Sequence, residues 1–174
     1  MKNTEKIEWF PVVDESGNEI ARAPRHQCHD GKSKLLHPVI HIHIFNEKGE
    51  LFLQKRAMTK DILPGKWDTS VGGHIGPGES VEEALKREAE EELGIKIDPD
   101  KLIDISRYVF ESDIEKEYVF SFIYKYNGEV VFQESEIDEI KYYKKDEIYN
   151  LIKSKYATPN FEKEFNLLIE KGVL

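Results

Sequence analysis

The chain has 174 residues, with 34 acidic and 25 basic side chains and a net charge of −9. This length suits one domain with a sizeable core, so we predict a single domain over residues 1–174 with an N-terminal hairpin extension over 1–30. The acidic balance disfavours nucleic-acid and membrane surfaces, which attract basic patches. Cys28 is the only cysteine, which excludes an intrachain disulfide and fits a cytoplasmic location.

The predicted elements begin with a hairpin over residues 7–24. Residues 37–45 alternate as a strand, with isoleucines on one face and His41 and His43 on a polar face. Two sets of elements follow in the chain: strands near 50–56, 67–71, 101–111, 117–126 and 129–133, and helices at 80–94, 145–154 and 160–171. This order favours an α/β (α+β) fold in which a mixed sheet is sandwiched between helices.

The first long helix carries acidic residues on the face that should pack on the core. Ser80 and Glu83 form a capping box at its start, and Gly94 is a typical stop. At about 100° per residue, its apolar stripe continues into three carboxylates. These are Glu88, Glu91 and Glu92.

Three carboxylates on an inward stripe are unfavourable without a cation. Each buried and unpaired carboxylate costs on the order of several kcal/mol. Like charges four residues apart repel, and anions in the last turn oppose the helix dipole. A solvated acidic surface is the alternative, but the stripe position and the glycine-rich lead-in disfavour it. A divalent metal ion with oxygen ligands offsets these penalties.

Residues 73–95 resemble the signature of the Nudix hydrolases. The pattern is Gly, five residues, Glu, seven residues, then Arg-Glu-apolar-any-Glu-Glu-any-Gly-apolar. The matching positions are Gly73, Glu79, Arg87, Glu88, Glu91, Glu92, Gly94 and Ile95. The resemblance implies the Nudix fold and a Mg²⁺- or Mn²⁺-dependent hydrolase that cleaves a nucleoside diphosphate linked to another moiety.

The resemblance also implies roles for individual residues. Glu88 and Glu92 are the first candidates for metal ligands, together with the carbonyl group of Gly73. Glu91 is a further ligand or the carboxylate that takes a proton from water. Arg87 belongs to the catalytic set and is expected to pair with Glu79. A second set of candidates lies outside this segment: Lys55 or Arg56 for phosphate, and Glu115, Glu117 or Glu134 as an alternative base.

Other segments resemble the isopentenyl-diphosphate isomerase-like branch of the Nudix proteins. They include Gln54–Arg56, Gly65–Trp67, Thr69–His74 and Glu115–Glu117. In isomerases, the matching residues help to hold a metal, which makes four positions candidates for a second metal or a base: His37, His74, Glu115 and Glu117. Gly72 stands where the isomerases have a cysteine that exchanges protons.

The missing cysteine and the complete acidic set favour hydrolysis over isomerisation. An isomerase-type enzyme and a catalytically silent nucleotide-binding module stay open as alternatives. His26 and His29 flank Cys28, but a lone pair is a weak metal signal, so we interpret this stretch as a loop. We expect a small-molecule diphosphate as the partner, with no nucleic acid and no membrane, and we leave a homodimer open.

Overall fold

The computed structural model describes residues 7–174. Its strands are β1 (Trp9–Val13), β2 (Glu19–Pro24), β3 (Leu36–Phe45), β4 (Leu51–Arg56), β5 (Trp67–Asp68), β6 (Val71–His74), β7 (Ile103–Glu111), β8 (Lys116–Lys125) and β9 (Ile137–Tyr143). Its helices are α1 (Arg25–Cys28), α2 (Val81–Leu93), α3 (Lys145–Lys153) and α4 (Pro159–Glu170), with a 3₁₀ turn at Pro99–Lys101. Among these residues, no helix is both long and apolar enough to cross a membrane.

β3 lies at the centre of the main sheet. It pairs in parallel with β8 and antiparallel with β6. β7 pairs with the other side of β8, and β4 pairs with β5 and β9. β4 meets β3 through the pair Phe45–Leu51. The sheet is therefore mixed and flanked by helices, which confirms the predicted fold class.

Both faces of β3 are covered. The isoleucine face packs on α2 through a core that includes Ile40, Ile42, Leu85 and Leu93. The opposite side of the sheet packs on α3 and α4 through residues such as Phe161 and Phe165. Every residue of β3 is buried as a result, because helices cover the sheet on both sides.

The sequence predicted His41 and His43 on the polar face of a strand, and the structure shows that this polar face is buried. His41 is 8% exposed and His43 is fully buried. Alternation in the sequence identified two faces correctly, but it could not show that α4 covers the second one. α4 supplies Glu164, whose carboxylate contacts both imidazole rings.

The N-terminal hairpin is confirmed. β1 and β2 pair antiparallel, and the Asp14 carboxylate accepts hydrogen bonds from the amides of Ser16 and Asn18 in the turn. Phe10 and the buried Cys28 belong to a small apolar cluster beneath the hairpin. The hairpin thus packs its apolar side on the rest of the molecule, next to β3.

Two predictions about strands are corrected. Residues 129–133 form no strand, because the amides of Val131 and Gln133 donate to the Leu93 and Glu92 carbonyls at the end of α2. Those carbonyls have no partner within their own helix. The predicted strand at 67–71 is two strands, since Trp67 pairs with β4 whereas Val71 pairs with β3. β9 was not predicted.

Candidate active site

Local signals fix the position of α2. The Ser80 side chain accepts a hydrogen bond from the Glu83 amide at 3.2 Å, and the Glu83 carboxylate accepts one from the Ser80 amide at 2.8 Å. Gly94 ends the helix with a φ of 65°, in the left-handed region that glycine favours. These two ends set the rotation of α2, which directs Glu88 and Glu92 toward β6.

Gly73 is a glycine because of space. A Cβ atom at this position would overlap the carboxyl group of Glu88. Glu88 itself is half-buried, and burial raises the pKa of its carboxyl group, although the neighbouring Arg87 guanidinium opposes this shift. The close approach places a carboxylate directly on the backbone of β6.

Arg87 organises the loop before α2. Its guanidinium donates to both carboxylate oxygens of Glu79, at 2.7 and 2.9 Å, and to the His74 carbonyl at 2.9 Å. It also contacts Glu88 at 2.7 Å and the exposed Glu91 at 3.3 Å. The expected pairing of Arg87 with Glu79 is therefore present, and one cation aligns three carboxylates.

Glu92 has polar partners but no ion-pair partner among residues 7–174. Its Oε2 atom accepts hydrogen bonds from the Gln54 side chain at 3.0 Å and from the Gly72 amide at 3.3 Å. Burial, followed by the charge of Glu88, raises the pKa of Glu92 to about 8. A hard divalent cation suits this oxygen-rich group of half-buried carboxylates. The donor set is chemically suited to Mg²⁺ or Mn²⁺.

A second cluster lies on the other side of β6. Side-chain ligand atoms of His29, His37 and His74 lie within 4.8 Å of one another, and so do those of His37, Glu115 and Glu117. The three histidine Nε2 atoms are buried without a hydrogen-bond partner in the described part of the chain. Unpaired buried nitrogens beside carboxylates fit a metal ion that binds nitrogen and oxygen ligands.

The electrostatics of this second cluster suit metal binding. Burial lowers the pKa of His29 to about 4, which keeps its imidazole neutral, and only a neutral imidazole can ligate a metal. Burial and then the charge of Glu115 raise the pKa of Glu117 to about 8. Phe10 stacks on His74 with ring centroids 4.1 Å apart, so the hairpin closes the cluster.

The stretch around Cys28, interpreted from the sequence as a loop, contains the short helix α1. His29 follows α1 directly, and its Nε2 atom lies 3.1 Å from a Glu115 oxygen. His29 lies near the position of a further histidine ligand of the isomerases, but the two sequences match there only if the alignment contains a gap. In the folded chain, the hairpin and α1 bring His29 next to His37 and Glu115. Asn160, whose amide donates to Glu117 at 2.9 Å, was also not predicted.

Both clusters line one cleft, and so does Arg56. Arg56 contacts Asp68 at 3.3 Å and donates to the Ile62 carbonyl. Its neighbour Lys55 is directed away, toward Glu139 at 3.8 Å, because successive side chains of a strand point to opposite faces. Glu134 is exposed and does not line the cleft. Of the two phosphate-binding candidates, Arg56 lines the cleft and Lys55 does not.

The matches with known proteins agree with this fold and site. The NUDIX domain family matches residues 35–165. This chain belongs to the Nudix hydrolase family, whose members act on nucleoside diphosphate derivatives and generally use divalent metal ions.

Relatives lie in two groups. An uncharacterized Nudix hydrolase of Yersinia pestis is 34% identical over 142 residues, which cover 82% of this chain and 76% of that protein. An isopentenyl-diphosphate Delta-isomerase of Corynebacterium glutamicum is 37% identical over 95 residues, which cover 55% of this chain and 50% of that protein. The crystal structure of DR0079 from Deinococcus radiodurans superimposes with a TM-score of 0.78 over 91% of this chain and 98% of that one, at 20% identity.

Proposed function

We propose that this protein is a Mg²⁺- or Mn²⁺-dependent pyrophosphohydrolase. Its substrate is a nucleoside diphosphate joined to another moiety, and the bond cleaved is the diphosphate anhydride. The observation that carries the proposal is the placement of Glu88 and Glu92 on the cleft side of α2, with Gly73 leaving room for the first carboxylate.

The acidic face of α2 binds a cation in this proposal. Glu88, Glu92 and Glu91 are the ligand candidates, with the Gly73 carbonyl beside them. When bound, a divalent cation neutralises phosphate charge and makes water easier to deprotonate. Arg87 holds the carboxylates and the loop in register through its contacts with Glu79 and Glu88.

The chain itself supplies the group that accepts the proton of the attacking water. Glu91 is more than half exposed, and Arg87 restrains it at 3.3 Å, so it can exchange protons with solvent while keeping its position. Glu92 is the alternative acceptor, because it lies beside Glu88 on the cleft side of α2. Arg56, at the edge of the cleft, contacts a phosphoryl oxygen.

The second cluster supports a second bound cation, and it is the observation that favours the isomerase alternative. Five side chains converge there: His29, His37, His74, Glu115 and Glu117. Isomerisation needs a proton-exchanging group at position 72, and Gly72 has no side chain to serve as one. We therefore propose that a cation in this cluster binds substrate phosphate or supports the hydrolytic site.

The test is a substrate panel. The purified protein is incubated with Mg²⁺ and nucleoside diphosphates, nucleotide sugars or isopentenyl diphosphate, and phosphorus species are followed by ³¹P NMR. Cleavage of the nucleotides into phosphate monoesters supports hydrolysis. An allylic product from isopentenyl diphosphate would replace the proposal with isomerisation. Binding without turnover would leave a nucleotide-binding module.

A further inference from the structure

One carboxylate lies deep beneath the cleft and has no part in either cluster. Glu164, on α4, is 1% exposed. Its Oε2 atom lies 2.8 Å from Nδ1 of His41, and its Oε1 atom lies 3.3 Å from Nε2 of His43. A buried anion is strongly unfavourable unless a cation accompanies it. One of the two histidines must therefore carry the compensating charge.

His43 has a hydroxyl partner at each ring nitrogen. The Thr69 hydroxyl donates its hydrogen bond to the Ile42 carbonyl. Its oxygen therefore accepts a hydrogen bond from Nδ1–H of His43, at 3.1 Å. The Ser121 hydroxyl oxygen lies 3.2 Å from Nε2 of His43. His41 has no hydroxyl partner and makes the shorter contact with Glu164, 2.8 Å against 3.3 Å for His43, so we take His41 as the cation that pairs with this carboxylate.

The other nitrogen of His41 opens to the cleft. His41 lines the cleft, and its Nε2 atom has no hydrogen-bond partner in the described part of the chain. Gly72 lies beside this atom, since an added Cβ atom at Gly72 would be 3.5 Å from Nε2. Burial lowers the pKa of His41, but the charge and hydrogen bond of Glu164, with smaller effects from Glu117 and Asp68, raise it to about 9.

Other basic side chains around the cleft already contact carboxylates. Arg56 contacts Asp68, Lys60 contacts Glu136, and Arg87 contacts Glu79 and Glu88. His41 differs from these three because its partner lies behind it, on the side away from the cleft. Its Nε2 atom lies beside Gly72, on the strand that runs between the two acidic clusters.

We propose that His41 binds a phosphoryl oxygen of the substrate diphosphate and that Glu164 is the positioning residue that fixes its charge and orientation. The proposal rests on the proposed function and names a group that recognises the diphosphate. A charged N–H donor to a phosphate oxygen is a strong hydrogen bond, and a rigid strand behind it limits the entropy lost on binding.

The experiment measures binding rather than turnover. Methylenediphosphonate, a non-hydrolysable diphosphate, is titrated into the protein in Mg²⁺ by calorimetry. His41→Gln keeps a polar side chain but removes the charge, and we expect its affinity to fall about tenfold to a hundredfold. His26→Gln is the matched control, because His26 also lines the cleft but has no contact with Glu164. Its affinity should stay within about twofold of wild type.

A second measurement is made on the unmodified fold. In ¹⁵N NMR spectra of the imidazole groups, His41 should have both nitrogens protonated, and its Nε2 resonance should shift when methylenediphosphonate binds. Glu164→Gln should convert His41 to the neutral form and weaken the affinity for the diphosphonate. If the pair of His41 and Glu164 were only structural, Glu164→Gln would change stability, but methylenediphosphonate would not shift the His41 Nε2 resonance of the unmodified protein.

Two failures can be told apart. Unchanged affinity in a folded His41→Gln variant, or no Nε2 shift at saturation, would overturn the role of His41 while hydrolysis by the wild type still stands. If the wild type neither binds methylenediphosphonate nor cleaves any nucleoside diphosphate derivative, the proposed function itself fails, and the role of His41 fails with it.

Discussion

Glu92 is placed under two opposing requirements. Its half-buried position beside Glu88 favours the protonated form, whereas a bound cation needs the anion. Hydrogen bonds from Gln54 and Gly72 hold the carboxylate in place in either form. The residue therefore makes the metal-free site unfavourable, and it is the residue whose replacement is most informative.

Glu92→Gln should nearly abolish hydrolysis while the fold is kept or becomes more stable without metal. The change removes an anionic ligand and one repulsive partner of Glu88, and the loss in kcat should be at least about 100-fold. Glu90→Gln is the matched control, since Glu90 is exposed on the same helix. Initial rates and thermal melting in EDTA measure both effects. Wild-type rates in Glu92→Gln at limiting Mg²⁺ would remove α2 from the chemistry.

The raised pKa of Glu92 also predicts a pH dependence of stability. Its pKa is about 8 in the folded, metal-free protein, compared with an ordinary value of 4.5. The folded state therefore binds this proton more tightly than the unfolded state, so ionisation of Glu92 opposes folding. In EDTA, the free energy of unfolding should decrease as the pH rises from 6.5 to about 8, because the buried histidines with lowered pKa values are neutral in both states over this range and Glu92 still titrates.

Urea unfolding across this pH range measures that effect. Glu117, whose pKa is shifted in the same direction, contributes to the same slope. Glu92→Gln should reduce the slope without removing it. A stability that rises steadily across this range in EDTA would contradict the burial of these carboxylates.

At the scale of elements, the hairpin is the part of the molecule that completes the histidine cluster. Phe10 on β1 stacks on His74 and lies 5.5 Å from His37, measured between ring centroids. β1 also carries the exposed Trp9 on its other face. Phe10 and Trp9 are therefore neighbouring aromatic residues of one strand, of which only Phe10 is buried.

Phe10→Ala should destabilise the protein by about 3 to 5 kcal/mol, because it removes a buried aromatic ring and leaves a cavity. Trp9→Ala should cost much less, since Trp9 is 47% exposed. Chemical unfolding gives both values, and zinc or manganese binding by calorimetry reports whether the histidine cluster loosens. Equal effects of the two changes would mean that the hairpin does not pack on the cluster.

The sequence predicted those elements whose ends are set by nearby residues. Ser80, Glu83 and Gly94 define α2 because caps act within a few residues. β9 was missed because charged residues interrupt its alternation, and its pairing with β4 is a long-range contact. The roles of His29 and Glu164 depend on the placement of α1 and α4 against β3. Such tertiary contacts leave no local pattern in a sequence.

The molecule as a whole has two clusters that we propose bind cations. Saturating Mn²⁺ should raise the melting temperature and EDTA should lower it, since a ligand at a hundredfold excess over its Kd stabilises the folded state by about 2.7 kcal/mol. Glu88→Gln removes one ligand from the first cluster, and His74→Asn removes one from the second. Each variant should therefore keep part of the Mn²⁺-induced rise in melting temperature. Thermal melting with and without Mn²⁺ measures this. Absence of any shift in the wild type would leave both clusters unexplained.

The intact protein should not interconvert isopentenyl and dimethylallyl diphosphate. That reaction needs two proton-exchanging groups across the substrate, and Gly72 cannot supply one. Gly72→Cys is sterically feasible, because an added Cβ atom would approach the His41 ring at 3.3 Å and require only a small shift. Deuterium uptake from D₂O into isopentenyl diphosphate is the measurement. Uptake by the wild type that Glu117→Gln abolishes would overturn the assignment as a hydrolase.

The two glycines of β6 form a partition one backbone thick. A side chain at position 73 would project toward Glu88, and one at position 72 toward His41, so the two positions look into opposite chambers of the same cleft. Because neither position has a side chain, the partition contributes only amides and carbonyls to each chamber. A single replacement at position 72 would equip one chamber with new chemistry and leave the carboxylates of the other in place. A scaffold of this kind can exchange one reaction for another during evolution without rebuilding its core.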